Sequence, residues 1–184
     1  MREDWEDDWG WGDELDFREG LARVELSGKW GFINKKGKVV ISPKYAWVDQ
    51  FEGGLARVEL DGKYGSINKN DEVVIPFGKY EDTGSFNEGL AAVKLNNMWG
   101  FINEQGEEVV PLEYDKVRSF HEGLAAVKLN NMWGFINEQG TVVIPLKYDE
   151  IGSSFFKGLA SVQLEEWGVI KYGFVDQQGQ EYWD

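Results

Sequence analysis

Residues 20–34 read Gly-Leu-Ala-Arg-Val-Glu-Leu-Ser-Gly-Lys-Trp-Gly-Phe-Ile-Asn, and a closely similar stretch recurs four more times along the chain. Each copy opens with Gly-Leu-Ala-x-Val, at intervals of 34, 35, 34 and 35 residues, beginning at Gly20, Gly54, Gly89, Gly123 and Gly158. A constant period in this range is the sequence signature of a tandem-repeat protein.

An aromatic residue followed by glycine comes ten residues after the opening glycine in four copies and fourteen residues after it in the fifth. The aromatic residues are Trp30, Tyr64, Trp99, Trp133 and Tyr172. Glycine inside a strand marks a place where something approaches the backbone closely. We expect the approaching group to be an aromatic ring from an adjacent strand or copy. We therefore interpret the five aromatic residues as structural core residues.

Each copy is predicted to form three short antiparallel strands. In the first, Ala22, Val24 and Leu26 alternate with polar residues, as in a half-buried strand. Ser27-Gly28 suits a two-residue hairpin turn, as do Asp61-Gly62, Asn96-Asn97 and Asn130-Asn131. The second strand is Trp30–Ile33, and Gly37 suits the following turn. The third strand, Val39–Ile41, is predicted to end at Pro43, because proline cannot donate to a strand ladder.

These patterns predict an all-β protein of five tandem three-stranded antiparallel meanders in a curled array. Residues 1–16 are an acidic, Trp-rich leader, and one domain of five repeats follows at 17–50, 51–85, 86–119, 120–154 and 155–184. Trp11 precedes Phe17 by six residues, as Tyr45 precedes Phe51. The leader and the last residues would then complement each other and close the array as a ring or barrel. An open array with atypical end units is the alternative.

The consensus Phe-x-Glu-Gly-Leu-Ala-x-Val…Lys-Trp-Gly-Phe-Ile-Asn-x-x-Gly-x-Val-Val-Ile-x-Pro-x-Tyr resembles the WG-repeat family, a bacterial β-repeat. Copy one carries the consensus at Phe17, Glu19–Val24, Lys29–Asn34, Gly37, Val39–Ile41, Pro43 and Tyr45. Copy two departs from it at Tyr64, Ser66 and Asp71, and copy five inserts four residues within 165–171. The resemblance implies an interaction or accessory module and brings no catalytic residues.

The charge balance restricts the class of partner. The chain has 19 basic and 33 acidic residues, for a net charge of −14. Nucleic-acid backbones and anionic membranes both need clustered Lys and Arg, so neither is expected as a partner. An acidic surface favours solubility and fast association with a basic protein. No apolar run is long enough for a signal peptide or a membrane helix, so a cytoplasmic monomer is expected.

The residues needed for catalysis or metal binding are scarce. The chain has no cysteine and one histidine, His121, at a variable position next to Phe120. Acids are abundant but scattered over predicted turns, and no pair stands out from the repeat. We therefore expect no enzyme activity, no catalytic residues, no cofactor and no metal site.

Two segments break the repeat and are candidates for partner binding. One is the leader, with Trp5, Trp9, Asp4, Asp7 and Asp8. The alternative interpretation of the leader is a capping strand with a solvated tail. The other is the insertion, with Trp167, Glu165 and Glu166. The sequence thus favours a non-catalytic module binding a basic protein, as an inhibitor, immunity or accessory protein. The alternatives are a carbohydrate- or cell-wall-binding module and a purely structural or engineered scaffold. The number of exposed aromatic rings distinguishes sugar binding from protein binding.

Overall fold

The computed structural model describes residues 15–152 and 154–183, which form strands and turns without any helix. The strands build five small antiparallel sheets, one for each copy of the sequence. In the described residues they are β1 (Leu21–Leu26), β2 (Lys29–Asn34), β3 (Val39–Tyr45), β4 (Trp47–Val48), β5 (Leu55–Leu60), β6 (Lys63–Asn68), β7 (Val73–Ile75), β8 (Asp82–Asn87), β9 (Leu90–Leu95), β10 (Met98–Asn103), β11 (Glu108–Tyr114), β12 (Lys116–Val117), β13 (Leu124–Leu129), β14 (Met132–Asn137), β15 (Val142–Tyr148), β16 (Glu150–Ile151), β17 (Leu159–Glu166), β18 (Val169–Asp176) and β19 (Glu181–Trp183).

The predicted all-β meander is confirmed, with one addition. Four of the sheets have a fourth strand, in the orders β4-β5-β6-β7, β8-β9-β10-β11, β12-β13-β14-β15 and β16-β17-β18-β19. The added strand comes from the segment between copies, which the sequence predicts only as a connector. Trp47 pairs with Glu59 and Val48 pairs with Val58, so the connector covers the edge of the next copy's first strand. In copy one the described sheet is β1-β2-β3.

The two-residue hairpin turns are confirmed. Ser27 and Gly28 have φ values of 51° and 76°, and Leu26 pairs directly with Lys29 across the turn. Positive φ at both central residues defines the turn whose twist matches the flanking strands. In copy five the insertion lengthens β17 and β18 to eight residues each, and Trp167 and Gly168 become the two turn residues. The inserted residues therefore extend an existing hairpin.

The prolines do not end the third strand as predicted. Pro43, Pro111 and Pro145 lie inside β3, β11 and β15, and only Pro76 follows the end of its strand. The reason is an irregularity in the pairing of the second and third strands. In copy three Trp99 pairs with Tyr114 and Phe101 with Val110, so residues 111–113 bulge opposite Gly100. A bulge interrupts the ladder, so the missing proline N–H is tolerated there.

The bulge also explains the glycine after each aromatic residue. A Cβ atom on Gly100 would lie 2.5 Å from the Val110 carbonyl oxygen and 2.7 Å from that of Pro111. The close neighbour is thus the backbone of the third strand, and not primarily an aromatic ring as predicted. Rings add to the crowding in copies two and five, where Phe77 lies beside Gly65 and Trp183 beside Gly173.

The chain divides into two compact units, one ending at Ser85 and the other beginning at Phe86. Within each unit, the phenylalanine after the aromatic-Gly pair packs edge-to-face on a phenylalanine of the next copy. The ring centroids are 4.7 Å apart for Phe32–Phe51, 4.8 Å for Phe101–Phe120 and 4.9 Å for Phe135–Phe155. These buried pairs are the centres of the cores between successive copies.

Turn carboxylates also join successive copies within a unit. The Glu88 side chain accepts hydrogen bonds from the backbone N–H groups of Glu122 and Gly123, at 2.8 and 2.9 Å. Glu122 repeats the contact with the N–H groups of Lys157 and Gly158. In the first unit Glu19 binds the Gly54 N–H, and its hydrogen bond from Lys69 lowers the pKa of the Glu19 carboxyl. Such contacts fix the spacing of neighbouring copies.

Candidate functional site

The five repeat aromatics do not share one environment. Trp133 is 5% exposed, Trp30, Tyr64 and Trp99 are half-buried, and Tyr172 is 59% exposed. The expectation of a buried ring therefore does not hold for Tyr172. The residues adjacent in sequence to each ring follow the same repeat pattern. The difference in exposure therefore arises from residues that are distant in sequence and pack on the ring.

Tyr172 belongs to one exposed face of the copy-five sheet. Cross-strand pairs place Glu150 beside Gln163 and Gln163 beside Tyr172, and the next row holds Ser161, Phe174 and Tyr182. Side chains of paired residues lie on the same side of a sheet. We call this side the terminal face; its residues are Glu150, Ser161, Gln163, Glu165, Ile170, Tyr172, Phe174 and Tyr182. Trp167, at the tip of the hairpin, is fully exposed.

The exposure of the terminal face is specific to copy five. Phe174 is 45% exposed, whereas its equivalents Phe32, Phe101 and Phe135 are fully buried. Those three rings are covered by a phenylalanine from the following copy, whereas no such ring packs on Phe174 in the part of the chain that the structure describes. Leu159 is likewise 41% exposed, against 6–7% for Leu21, Leu55, Leu90 and Leu124. Apolar surface exposed in this way makes the terminal face a candidate interaction site.

A depression of about 160 Å³ lies on the terminal face beside the Tyr172 ring. It is lined by Glu150, Ile151, Gly152, Ser161, Val162, Gln163 and Tyr172. Among the lining residues Glu150 supplies a carboxylate, Ser161 a hydroxyl and Gln163 an amide, next to the Tyr172 ring. The Glu150 carboxylate is 59% exposed and its contact with Lys128 is long, at 3.5 Å, so most of it faces solvent.

Acidic groups surround the apolar centre of this face. Residues 149–183 include six acids and two bases. Glu166 pairs with Lys171 at 2.6 Å, and both side chains are nearly half exposed. The backbone N–H of Glu165 donates to the Asp149 carboxylate, which ties the end of the long hairpin to the connector before it. The result is an apolar patch with an acidic margin.

The structure brings together part of the predicted partner-binding set. Trp167, Glu165 and Glu166 lie together at the end of the β17–β18 hairpin. Trp5, Trp9, Asp4, Asp7 and Asp8 lie outside the described residues, as does Trp11, on which the predicted closure depends. Sequence reasoning assigned Tyr172 to the core and did not single out Phe174, because both follow the local pattern of the repeat.

The described part of the chain offers little other chemistry. Within it, no group of three or more His, Cys, Asp or Glu residues is arranged to hold a metal ion. None of its segments is a helix long and apolar enough to span a membrane. A larger depression of about 360 Å³ lies in the first unit, lined by Arg18, Glu19, Gln50, Phe51 and Glu52. Its only apolar lining residue, Phe51, is buried, so it offers no exposed ring.

Comparison with known proteins identifies the repeat. The family model described as WG containing repeat matches residues 13–30, 30–64, 64–99, 99–133 and 133–166. Each of the four internal boundaries falls on one of the repeat aromatics, from Trp30 to Trp133. No curated protein matches the chain.

Solved structures of Hsv2 from Kluyveromyces lactis are similar in fold. The structure with complete loop 6CD has a TM-score of 0.51 at 9% identity, covering 89% of this chain and 59% of that one. The structure of Hsv2p has a TM-score of 0.51 at 10% identity, covering 91% of this chain and 60% of that one. The chain thus spans about 60% of the length of Hsv2, and the likeness concerns the fold alone.

Proposed function

We propose that this chain, which belongs to the WG containing repeat family, is a non-catalytic protein-interaction module that binds a basic protein partner through the terminal face of copy five. The observation that supports the proposal is the exposure of Tyr172 and Phe174. Their counterparts in the preceding copies are buried or half-buried. The family and the fold supply a repeat scaffold, and this face supplies a place to bind.

The composition of the terminal face suits a basic partner. Interfaces that bind tightly combine a central apolar and aromatic patch with a polar margin. Here Tyr172 and Phe174 supply rings on the face and Trp167 supplies one at the hairpin tip. Glu150 and Glu165 supply negative charge on the same face, and Glu166 supplies it at the hairpin end. The net charge of −14 raises the rate of encounter with a cationic protein, and the rings hold the complex after encounter. An inhibitor, immunity or accessory role in the bacterial cytoplasm fits this chemistry.

A carbohydrate-binding function has weaker support. Repeats that bind sugars need rings presented at each copy on an open surface. Among the described residues only copy five exposes its repeat aromatic by more than half, while Trp133 is buried and Trp30, Tyr64 and Trp99 are half-buried. The exposed rings form a single cluster beside acidic groups, which favours one protein contact over a periodic sugar platform.

Binding of a basic peptide to the terminal face tests the proposal. The probe is a short peptide of repeating Arg-Gly-Leu units, and its affinity is measured by isothermal titration calorimetry. Trp167→Ala is expected to weaken binding by roughly tenfold, the effect of removing an aromatic anchor worth more than about 1 kcal/mol. The double variant Glu165→Gln/Glu166→Gln is expected to weaken it at about 0.15 M salt and to match the unmodified chain at about 1 M salt, where exposed charges are screened.

The matched control removes the same number of negative charges elsewhere in the second unit. Glu107 and Glu108 are exposed residues at a turn of copy three, so Glu107→Gln/Glu108→Gln alters the net charge equally without touching the terminal face. We expect this variant to bind the peptide nearly as the unmodified chain does. Equal weakening by the two double variants, or no binding of the peptide at all, would contradict the proposal.

A further inference from the structure

In two of the earlier copies an arginine side chain lies over the repeat aromatic. In copy two the Arg57 guanidinium carbon lies 4.0 Å from the centre of the Tyr64 ring. In copy four the guanidinium carbon of Arg118 lies 5.7 Å from the centre of the Trp133 ring. Both distances are within the range of attraction between a cation and an aromatic face. Tyr64 and Trp133 occupy the same repeat position as Tyr172.

In both copies hydrogen-bond acceptors fix the guanidinium on the ring. Arg57 donates to the Thr83 hydroxyl and to the Asp82 carboxylate, each at 3.1 Å. Arg118 donates to the backbone carbonyls of Ile151 and Gly152, each at 3.2 Å. A planar guanidinium can stack on a ring while its N–H groups point sideways to acceptors. The repeat thus places a hydrogen-bonded guanidinium near this ring twice, from two different positions.

Copy five keeps the ring and loses both arginines. Ser161 occupies the position of Arg57 in the first long strand of the sheet. Gly152 occupies the position of Arg118, because its N–H bonds to the Ser161 carbonyl just as that of Arg118 bonds to the Ala126 carbonyl. Neither side chain is long enough to cover the ring. In the described part of the chain no cation lies over Tyr172, and the 160 Å³ depression occupies the place beside it.

We propose that the depression beside Tyr172 is a receptor for one arginine side chain of the basic partner. The guanidinium would stack on the Tyr172 ring, and Glu150 and Gln163, in the same row across the sheet, would accept its N–H groups. This inference rests on the proposed function and specifies the residue that the partner presents.

Arginine fits this site better than lysine does. A guanidinium is planar, weakly hydrated and able to donate sideways while stacked, whereas an ammonium is a compact, strongly hydrated charge. The pocket has a flat ring on one side and hydrogen-bond acceptors beside it, so it favours the planar guanidinium. We expect the Arg-Gly-Leu peptide to bind about tenfold more tightly than its Lys-Gly-Leu counterpart, within the energy of cation–π contacts at partly desolvated sites.

A variant that fills the site from within gives the sharpest test. Gly152→Arg combined with Ser161→Ala recreates the pair Arg118 and Ala126 of copy four. The alanine is needed because a Cβ at position 152 would meet the Ser161 hydroxyl, and the backbone of Gly152 is not left-handed. This double variant should bind the arginine peptide about tenfold more weakly than the unmodified chain does, because its own arginine covers the Tyr172 ring. Its preference for the arginine peptide over the lysine peptide should disappear. The single variant Ser161→Ala serves as the control and should retain that preference.

Tyr172→Leu and Tyr172→Trp separate stacking from general apolar contact. The leucine variant should lose the preference for arginine and the tryptophan variant should keep it, with unchanged melting temperatures because the ring is 59% exposed. Equal affinities of the two peptides for the unmodified chain, with binding still weakened by Trp167→Ala, would overturn the arginine site and leave the proposed function standing. Failure of both peptides to bind would overturn the proposed function as well.

Discussion

Gly134→Ala is expected to lower the free energy of unfolding by more than about 3 kcal/mol, the range of severe overpacking and backbone displacement. A Cβ atom at this position would lie 2.6 Å from the carbonyl oxygen of Ile144 and 2.8 Å from the backbone of Leu146. Both neighbours are backbone atoms of β15, so a change of rotamer cannot relieve the clash. Chemical denaturation followed by tryptophan fluorescence measures the loss.

Gly123→Ala is the matched control for this substitution. Nothing lies within 4 Å of a Cβ at Gly123, but its φ of 79° is unfavourable for alanine. It should therefore cost only about 1 kcal/mol, the cost of a strained backbone conformation without a clash. Similar losses for the two variants would mean that β15 does not bulge against Gly134.

Phe135→Ala is expected to cost about 3–5 kcal/mol, as for other fully buried phenylalanines. Phe135 is 0% exposed and packs edge-to-face on Phe155 of the next copy. Truncation would leave a cavity at the centre of that junction. The loss is measured by thermal and chemical unfolding of the same variant.

The equivalent residue of copy five supplies the comparison. Phe174→Ala should cost less than about 1 kcal/mol, because the ring is 45% exposed and no ring from a following copy packs on it in the described residues. An equally large loss at Phe174 would mean that the terminal face is covered in the folded protein, and a partner-binding surface there would have to be abandoned.

Local features of the repeat were predictable from the sequence. The pairs Ser27-Gly28 and Asn96-Asn97 adopt positive φ because glycine and asparagine tolerate it, and their positions fix the hairpin register. Strand alternation at Ala22 and Val24 likewise identified the buried side of β1. These features depend on residues close together in the chain, so one copy of the repeat contains the information.

Features that depend on contacts between copies were not predictable in the same way. The two-residue strand β4 forms only because the next copy presents β5 as a partner, and two residues show no periodicity. Pro43 was expected to end β3, but a bulge opposite Gly31 accommodates it. Tyr172 carries the same local pattern as Trp133, and its exposure depends on contacts with residues distant in the chain, which the local pattern does not contain. Local pattern alone gave the wrong environment for that ring.

The central claim is that a basic ligand binds the terminal face of copy five. The most direct measurement is the change in NMR chemical shifts of the isotopically labelled chain during titration with the Arg-Gly-Leu peptide. We expect saturable shifts centred on Gln163, Tyr172 and Phe174 and on the indole of Trp167, with little change at Trp30 or Trp99. Shifts confined to other sheets, or spread evenly over exposed acidic residues, would contradict it.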